Sequence, residues 1–541
     1  MKRQFKIMFI FSVFVIVLVA CFKDDQKDVN TNDDGNVNIS VFAPQGSDVD
    51  LKTNSFTKLA EEKFNINFNW ETTTYDTSAA AEARNIAMAS GDYPDLFLLI
   101  PWVDQFSQTD LLKYGKQGAI VPLNELIEEH APNIQEVLEN HEYYAAMVTA
   151  PDGKIYGLPQ LNECFHCTYS AKMWMNKTWL EELNLDIPTT HEELKSVLKA
   201  FKTEDPNGNG KNDEVPLSGA TEVVGGGVFT FLMNGFIYDD GVTRLLLEDE
   251  KVDFAPIQPE WKEGLAYMRE LYEEGLLDSG TFSQNEEALS QLGGSEEQLL
   301  GSTVVPHPAP IFGSDREIHN QYEPVPPLDG PNTSWGQYDY NSKPGGTFVL
   351  TNTASEEAQV AAIKLIDYMF TEDGQIRSHY GEEDVSWRKP EDGDVAIREE
   401  VEPIFATIPL DKDEDPKNDS WDALAQYYQP FEFRDGWVQD IDIYSPEGYE
   451  RRLQEATYLY EGTEPEEVYP HWAVWYDSEI VDEISMIKTN IEDYVEQNSV
   501  QFITGDKDLE TEWDTYIEGF EQLELERYLE VMQEAFENAK F

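Results

Sequence analysis

The chain is poor in cysteine and in positive charge. Three cysteines in 541 residues exclude a disulfide-dense scaffold and leave too few thiols for a four-cysteine zinc site. Lys and Arg number 38 against 105 Asp and Glu, a formal net charge of −67. Such a surface repels phosphate backbones, so nucleic acid is not a partner, and it counts mildly against a polyanionic ligand. The acidity itself reads as adaptation to salty or alkaline surroundings. Catalytic signatures are missing too. There is no Gly-x-Ser-x-Gly, no phosphate loop and no His-Glu-x-x-His, since His191-Glu192-Glu193-Leu194-Lys195 lacks its second histidine.

Long apolar runs are absent except at the start. Lys2, Arg3 and Lys6 precede an apolar stretch from Ile7 to Val19, too short for the ~20 residues that span a bilayer. A cationic head and a short apolar segment make a signal peptide, residues 1–20. Leu18-Val19-Ala20-Cys21 resembles the bacterial lipobox, which implies that Cys21 is acylated and anchors the protein on the outer face of the cell membrane. Residues 21–36, rich in Asp, Asn and Lys, cannot bury enough apolar surface to offset their entropy and read as a disordered tether. Removal of the signal makes the net charge −70. Outside the cytoplasm, Cys164 and Cys167 in Cys-Phe-His-Cys are read as a disulfide or idle thiols first, a metal site second and a redox pair last.

What remains has hydrophobic residues at 40% and aromatic residues at 12%, enough for sizeable cores. Val37–Ala43 and Ile66–Trp70 read as strands, with helices at 55–64 and 79–90, and Asp95–Ile100 reads as a third strand. Thr190 and Glu193 mark a helix start by capping-box spacing. Trp261, Leu265, Met268 and Tyr272 share one helical face, closed by Gly275. Gly346–Leu350 reads as a strand, Glu356–Phe370 as a helix, and the chain from Trp421 as mainly helical. Strands alternating with helices predict doubly wound α/β lobes.

Met88-Ala-Ser-Gly-Asp-Tyr-Pro-Asp95, Gly118-Ala-Ile-Val-Pro-Leu-Asn124, Pro151-Asp-Gly-Lys-Ile-Tyr-Gly-Leu-Pro159 and Trp174-Met-Asn-Lys-Thr-Trp-Leu-Glu-Glu-Leu183, in this order, resemble the extracellular solute-binding proteins of bacterial ABC importers. The likeness is to the large LipO-like and alginate-oligosaccharide-binding lipoproteins, and Leu271–Leu276, Pro326–Pro331, Gly381–Trp387 and Phe502–Gly505 fit it too. The resemblance implies a type II periplasmic-binding-protein fold. Two lobes, 37–160 plus 345–405 and 161–344 plus 406–541, would flank a ligand cleft, with a helical C-terminal part. It further implies a monomeric, non-enzymatic receptor that delivers a carbohydrate to membrane permeases.

Asp205-Pro-Asn207-Gly-Asn209-Gly210-Lys211-Asn-Asp213-Glu214 places oxygen ligands at alternate positions with glycine sixth, the front of an EF-hand loop. The twelfth position is Pro216 rather than Glu. The resembled group carries a comparable shortened loop closed by adjacent Asp and Glu. The expected set for a structural Ca²⁺ is Asp205, Asn207, Asn209, Lys211 through its carbonyl, Asp213 and Glu214. An Asn/Gly-rich surface turn is the plain alternative.

Sugars are bound by aromatic stacking and by polar side chains on their hydroxyls, and doubly wound lobes bind ligands beyond the carboxyl ends of their strands. That selects Trp102 and Asp104 after Ile100, and Glu71 and Tyr75 after Trp70. The loop with Trp335, Tyr338 and Tyr340, and Trp387 after Gly381, complete the set, with Trp102 and Tyr340 foremost. A secreted glycosidase, whose paired carboxylates 105 acidic residues cannot exclude, and a polysaccharide adhesin are the rival classes; a peptide receptor ranks below them.

Overall fold

The computed structural model describes residues 35–541 except 142, 222, 224, 225, 314–316, 341–344, 411–413, 477, 478, 540 and 541. The signal peptide, Cys21 and nearly all of the tether lie outside the described residues. Among the described residues, no helix is long and apolar enough to cross a membrane.

The first sheet is built around β1 (Val37–Pro44), a β-branched run whose Ile39, Val41 and Ala43 are wholly buried. It pairs in parallel with β2 (Ile66–Thr73), Val37 facing Ile66 and Pro44 facing Thr73, and with β3 (Leu96–Leu98) through Val41–Leu96 and Phe42–Phe97. Between β1 and β2 runs the helix Ser55–Phe64. The Asn54 side chain accepts from Phe56 N and Thr57 N at its start, and Asn65 in the left-handed region ends it. The helix Thr77–Ser90 then connects β2 to β3 and stops at Gly91, φ +76°.

The central strand of the second sheet is β4 (Met173–Asn176), all four residues buried. It runs antiparallel to both β5 (Ser302–Val304) and β6 (Tyr322–Val325). A returning strand, β7 (Phe348–Leu350), closes the first sheet antiparallel to β3, giving the order β7-β3-β1-β2. Around the second sheet, Trp179 meets Phe201 edge to face at 5.1 Å, and the helix Pro259–Glu273 buries Trp261, Leu265 and Met268. Tyr272 on that face is half-buried, and Gly275 follows at φ +65°. The C-terminal helices Val481–Thr504, Leu509–Gln522 and Leu525–Asn538 pack onto this core through Ile491, Val495, Phe502, Tyr516 and Tyr528.

From Trp421 the chain is mainly helical, as expected, with turns and short segments leading to the long helices that start at Val481. Trp421, Leu424 and Tyr427 pack into the first core, where the Trp421 indole N–H donates to Thr57 Oγ1 at 2.8 Å. A helical turn, Phe165–Thr168, follows Cys164 directly, and Cys164 and Cys167 are joined in a disulfide, one of the readings placed first for the pair. At Thr190 the cap is partial. Thr190 Oγ1 accepts from Glu193 N, while the Glu193 carboxylate accepts from Thr189 instead.

The two cores meet where several chain segments cross. Asp339 N donates to Thr168 O, the Gln337 carbonyl oxygen accepts from Ser170 N and Ala171 N, and Glu163 N donates to Gln429 O. Tyr338 packs against both cores.

Candidate functional site

The parallel register brings the carboxyl ends of β1, β2 and β3 to one edge. Beyond β2 stands Tyr75, and a turn after β3, in which Val103 N and Asp104 N both donate to Ile100 O, carries Trp102. The two rings meet edge to face at 5.2 Å. Gly46, at the end of β1, lies flat on the Tyr75 ring, where a Cβ would sit 3.2 Å from Cε2. Trp102 is 58% exposed, a large aromatic ring that most of the described residues leave open. Burial and then the nearby Asp422 carboxylate raise the pKa of the Tyr75 phenol.

Asp104 has a different task from the one expected. It is buried in a two-point pair with Arg84, Nε–Oδ2 2.7 Å and Nη2–Oδ1 3.0 Å, and Arg84 also reaches Asp110 at 3.4 Å. The pair fixes the turn that presents Trp102.

Asp422 leads into a cleft. With Asp48, Tyr380, Ile408, Lys417 and Asp419 it lines a cavity of 250 Å³. Ile408 also lines a second cavity of 890 Å³, whose walls include Arg388, Trp437, Gln439, Ile441, Tyr449 and Glu450. That volume is in the range of small-molecule sites. One wall, the segment from Arg388 to Ile441, rests on a small core of Ile376, Trp387, Phe405 and Phe433. The opposite wall begins the helix Tyr449–Thr457, which Arg452 pins to the second lobe by lying over the Trp174 ring and donating to Tyr322 O. The two cavities, which share Ile408, thus lie between a wall carried by this small core and a wall that Arg452 ties to the second lobe.

At its floor the electrostatics are tightly arranged. Glu450 pairs with His166 at 3.2 Å and Arg434 at 3.5 Å, and Arg434 lies over the Trp437 ring. Burial raises the Glu450 carboxyl's pKa, but His166, Arg434 and His307 outweigh it and bring it down to about 2. His307 is pushed down to about 4 by burial and by His166. Beneath them Lys172, fully buried, donates to the carbonyls of His166 and Tyr169, and burial lowers it to about 7. The Trp437 indole N–H is buried without an acceptor among the described residues.

The remaining expected aromatics separate into different settings. Tyr340 is buried, donating to Glu163 Oε1 at 2.6 Å; Glu163 also pairs with His141 at 3.1 Å and accepts from Phe431 N. Tyr338, half-buried, meets Tyr169 at 5.6 Å and Trp472 at 5.8 Å. These residues hold the crossing point and do not line the groove's cavities. Trp335 is half-buried on the second lobe's side, its backbone N–H on Asn234 O. Trp387 is buried in the small core with its indole N–H on Gly381 O, so it supports the groove wall from behind. Glu71 is exposed on β2. Trp437, Tyr449 and Glu450 were not expected. Only the polar, aromatic and glycine mixture of Phe433-Arg-Asp-Gly-Trp-Val-Gln-Asp440, like that of 335–340, could have drawn attention to the first of them.

The 205–214 loop is wound as a cation loop would be. Asp205 takes φ +49°, and Gly208 and Gly210 take +68° and +76°. Gly210 N donates to Asp205 Oδ2, Asn209 N to Asn207 Oδ1 and Lys211 N to Asn209 Oδ1. Asp205 Oδ1 and both Glu214 oxygens are buried without a partner among the described residues, a costly arrangement unless a cation satisfies it. The Lys211 ammonium pairs with Glu297 at 2.8 Å and stays 3.8 Å from Asp213 Oδ2. The loop's carboxylates are not yet gathered. Among the described residues, only Cys164, His166 and Cys167 bring three such ligand atoms within 4.8 Å, and both cysteines are held in the disulfide.

A model of the bacterial extracellular solute-binding proteins matches residues 50–376. The fructooligosaccharide ABC transporter substrate-binding protein FusA of Streptococcus pneumoniae is 28% identical over 497 residues, covering 88% of this chain and 85% of its own. The polygalacturonan/rhamnogalacturonan-binding protein YtcQ of Bacillus subtilis is 24% identical over 443 residues, 76% of this chain and 81% of its own. Among solved structures, an EF-hand mutant of the pneumococcal FusA in complex with fructo-nystose superposes with a TM-score of 0.68 at 26% identity, covering 92% of this chain and 99% of that one. These relatives are substrate-binding proteins of transporters, not enzymes. The fold is the type II periplasmic-binding-protein arrangement, and the chain belongs to the bacterial extracellular solute-binding protein family.

Proposed function

We propose that this protein is the lipid-anchored receptor of an ABC importer, capturing an oligosaccharide in the groove between its lobes and delivering it to a permease pair. The observation that carries the reading is the Tyr75–Trp102 platform, set at the strand ends near Asp422, which lines the smaller of the two cavities. Aromatic faces suit the C–H faces of sugar rings, and the Asp, Glu and Gln side chains along the groove suit their hydroxyls. The sugar specificity of FusA, a relative along most of the chain, supports the same reading. Binding that favours a closed form gives the permeases a shape to recognise.

The structural cation in this reading is Ca²⁺, held by Asp205, Asn207, Asn209, Asp213, Glu214 and the Lys211 carbonyl. The orphaned carboxylate oxygens support it, as does the EF-hand of the related FusA. Cys21 is the lipid attachment point, and the receptor works as a monomer. The lobes divide at the crossing segments, with 421–427 counted in the first.

The test is thermal unfolding of residues 35–541 against a panel of oligosaccharides and peptides, because a ligand of the native state raises the midpoint. A rise with a glycan that is recovered uncleaved is the expected result. Shortened products would indicate an enzyme, and a rise with peptides alone would overturn the carbohydrate assignment.

A further inference from the structure

The groove's charge goes further than the class of ligand. Seven acidic and two basic side chains line its two cavities: Asp394, Asp440, Glu447 and Glu450 with Arg388 in the larger, and Asp48, Asp419 and Asp422 with Lys417 in the smaller. Both basic groups are already engaged. Arg388 is held by Asp394 at 2.6 and 3.3 Å, and the Lys417 ammonium donates to Val385 O at 2.7 Å. Arg434, just behind the wall, is committed to Glu450 and the Trp437 ring.

A uronic acid residue brings an ionised carboxylate that only accepts hydrogen bonds and wants a guanidinium or ammonium. Here it would meet more groups of its own sign than of the opposite one, and the repulsion is open to screening by salt. A neutral sugar is the opposite case, because its hydroxyls donate to the carboxylates.

Resting on the oligosaccharide reading above, we infer that the groove selects neutral oligosaccharides and rejects oligouronates, the selection being made by the excess of carboxylates over cations in the lining of its two cavities.

Calorimetry with residues 35–541 tests this at low and at high salt. The neutral probes are fructo-, malto-, galacto- and xylo-oligosaccharides of three to five units; the acidic probes are tetragalacturonate and an alginate tetramer. At least one neutral probe is expected to bind, with every acidic probe on the order of tenfold or more weaker at low salt, and the gap narrowing as salt screens it. The exposed Glu447→Lys variant, which adds a cation to the wall, is expected to shrink the gap severalfold. An acidic probe that binds best would overturn the inference while leaving the receptor reading intact. So would a gap that neither salt nor Glu447→Lys alters. Binding of peptides with no binding of any glycan would overturn both.

Discussion

Calcium removal offers the most direct trial of the loop at 205–214. Three buried carboxylate oxygens, Asp205 Oδ1 and the pair on Glu214, have no partner among the described residues, and burial with Asp205 and Asp213 raises the pKa of the Glu214 carboxyl. A cation bound only by the folded state contributes RT ln(1 + [Ca²⁺]/Kd), about 2.7 kcal/mol when calcium is at a hundred times Kd. For a lobe on the order of 310 residues that is a rise of about 4 °C in the midpoint of its transition. Scanning calorimetry at pH 7 in calcium and in chelator reads it, and acid should shrink the increment because the ligands bind deprotonated. Glu214→Gln is expected to lose most of the increment. Lys211→Ala keeps it, since that residue contributes only its carbonyl, and its exposed pair with Glu297 costs under ~1 kcal/mol. Equal midpoints with and without calcium at pH 7, or a Glu214→Gln variant with an undiminished increment, would refute the reasoning.

Trp102→Ala should weaken oligosaccharide binding about tenfold by calorimetry while leaving the midpoint within a degree or so, because the ring is mostly exposed and touches little but Tyr75. Asp104→Ala leaves the buried Arg84 guanidinium with only its longer contact to Asp110 and should cost about 3 kcal/mol in denaturant unfolding. Glu163→Gln should destabilise the crossing point by about 2 kcal/mol at pH 7. Burial raises the Glu163 carboxyl's pKa, but the hydrogen bonds from His141 and Tyr340 outweigh it and leave it below the ordinary value of 4.5. Its stabilisation is therefore present above that value and lost as pH falls through the lowered one, and the variant's deficit in urea titrations should fade over that acid window. Reduction of Cys164–Cys167 should cost about 2 kcal/mol, the loop-entropy value for so short a closure.

Local pattern made the first lobe readable. The β-branched run at Val37, the helix at 55–64 and, in the second lobe, the three-residue spacing from Thr190 to Glu193 each set a boundary that neighbours in sequence decide, and the structure follows them within a few residues. The oxygen alternation at Asp205–Glu214 was legible for the same reason, since a cation loop is built from consecutive residues. Trp102 and Tyr75 were found through a rule about strand ends, which needs only the order of strands and helices.

Asp104, Tyr340 and Trp387 show where such rules stop. Their surroundings come from residues far away in the chain: Arg84 for the first, Glu163 and His141 for the second, and Phe405 and Phe433 for the third. A polar aromatic beside glycine looks the same in sequence whether its ring faces a groove or a core. The composition likewise announced an acidic protein, but not that two cavities would collect seven of its carboxylates. By itself, then, the sequence determined the family, the first lobe's elements and the oxygen-rich loop that we propose holds calcium, all properties of local spacing and composition. Only the tertiary structure decided which aromatics are exposed, and that Glu450, Arg434 and Trp437 would form the groove floor. Burial and charge pairing depend on contacts between segments that only folding brings together.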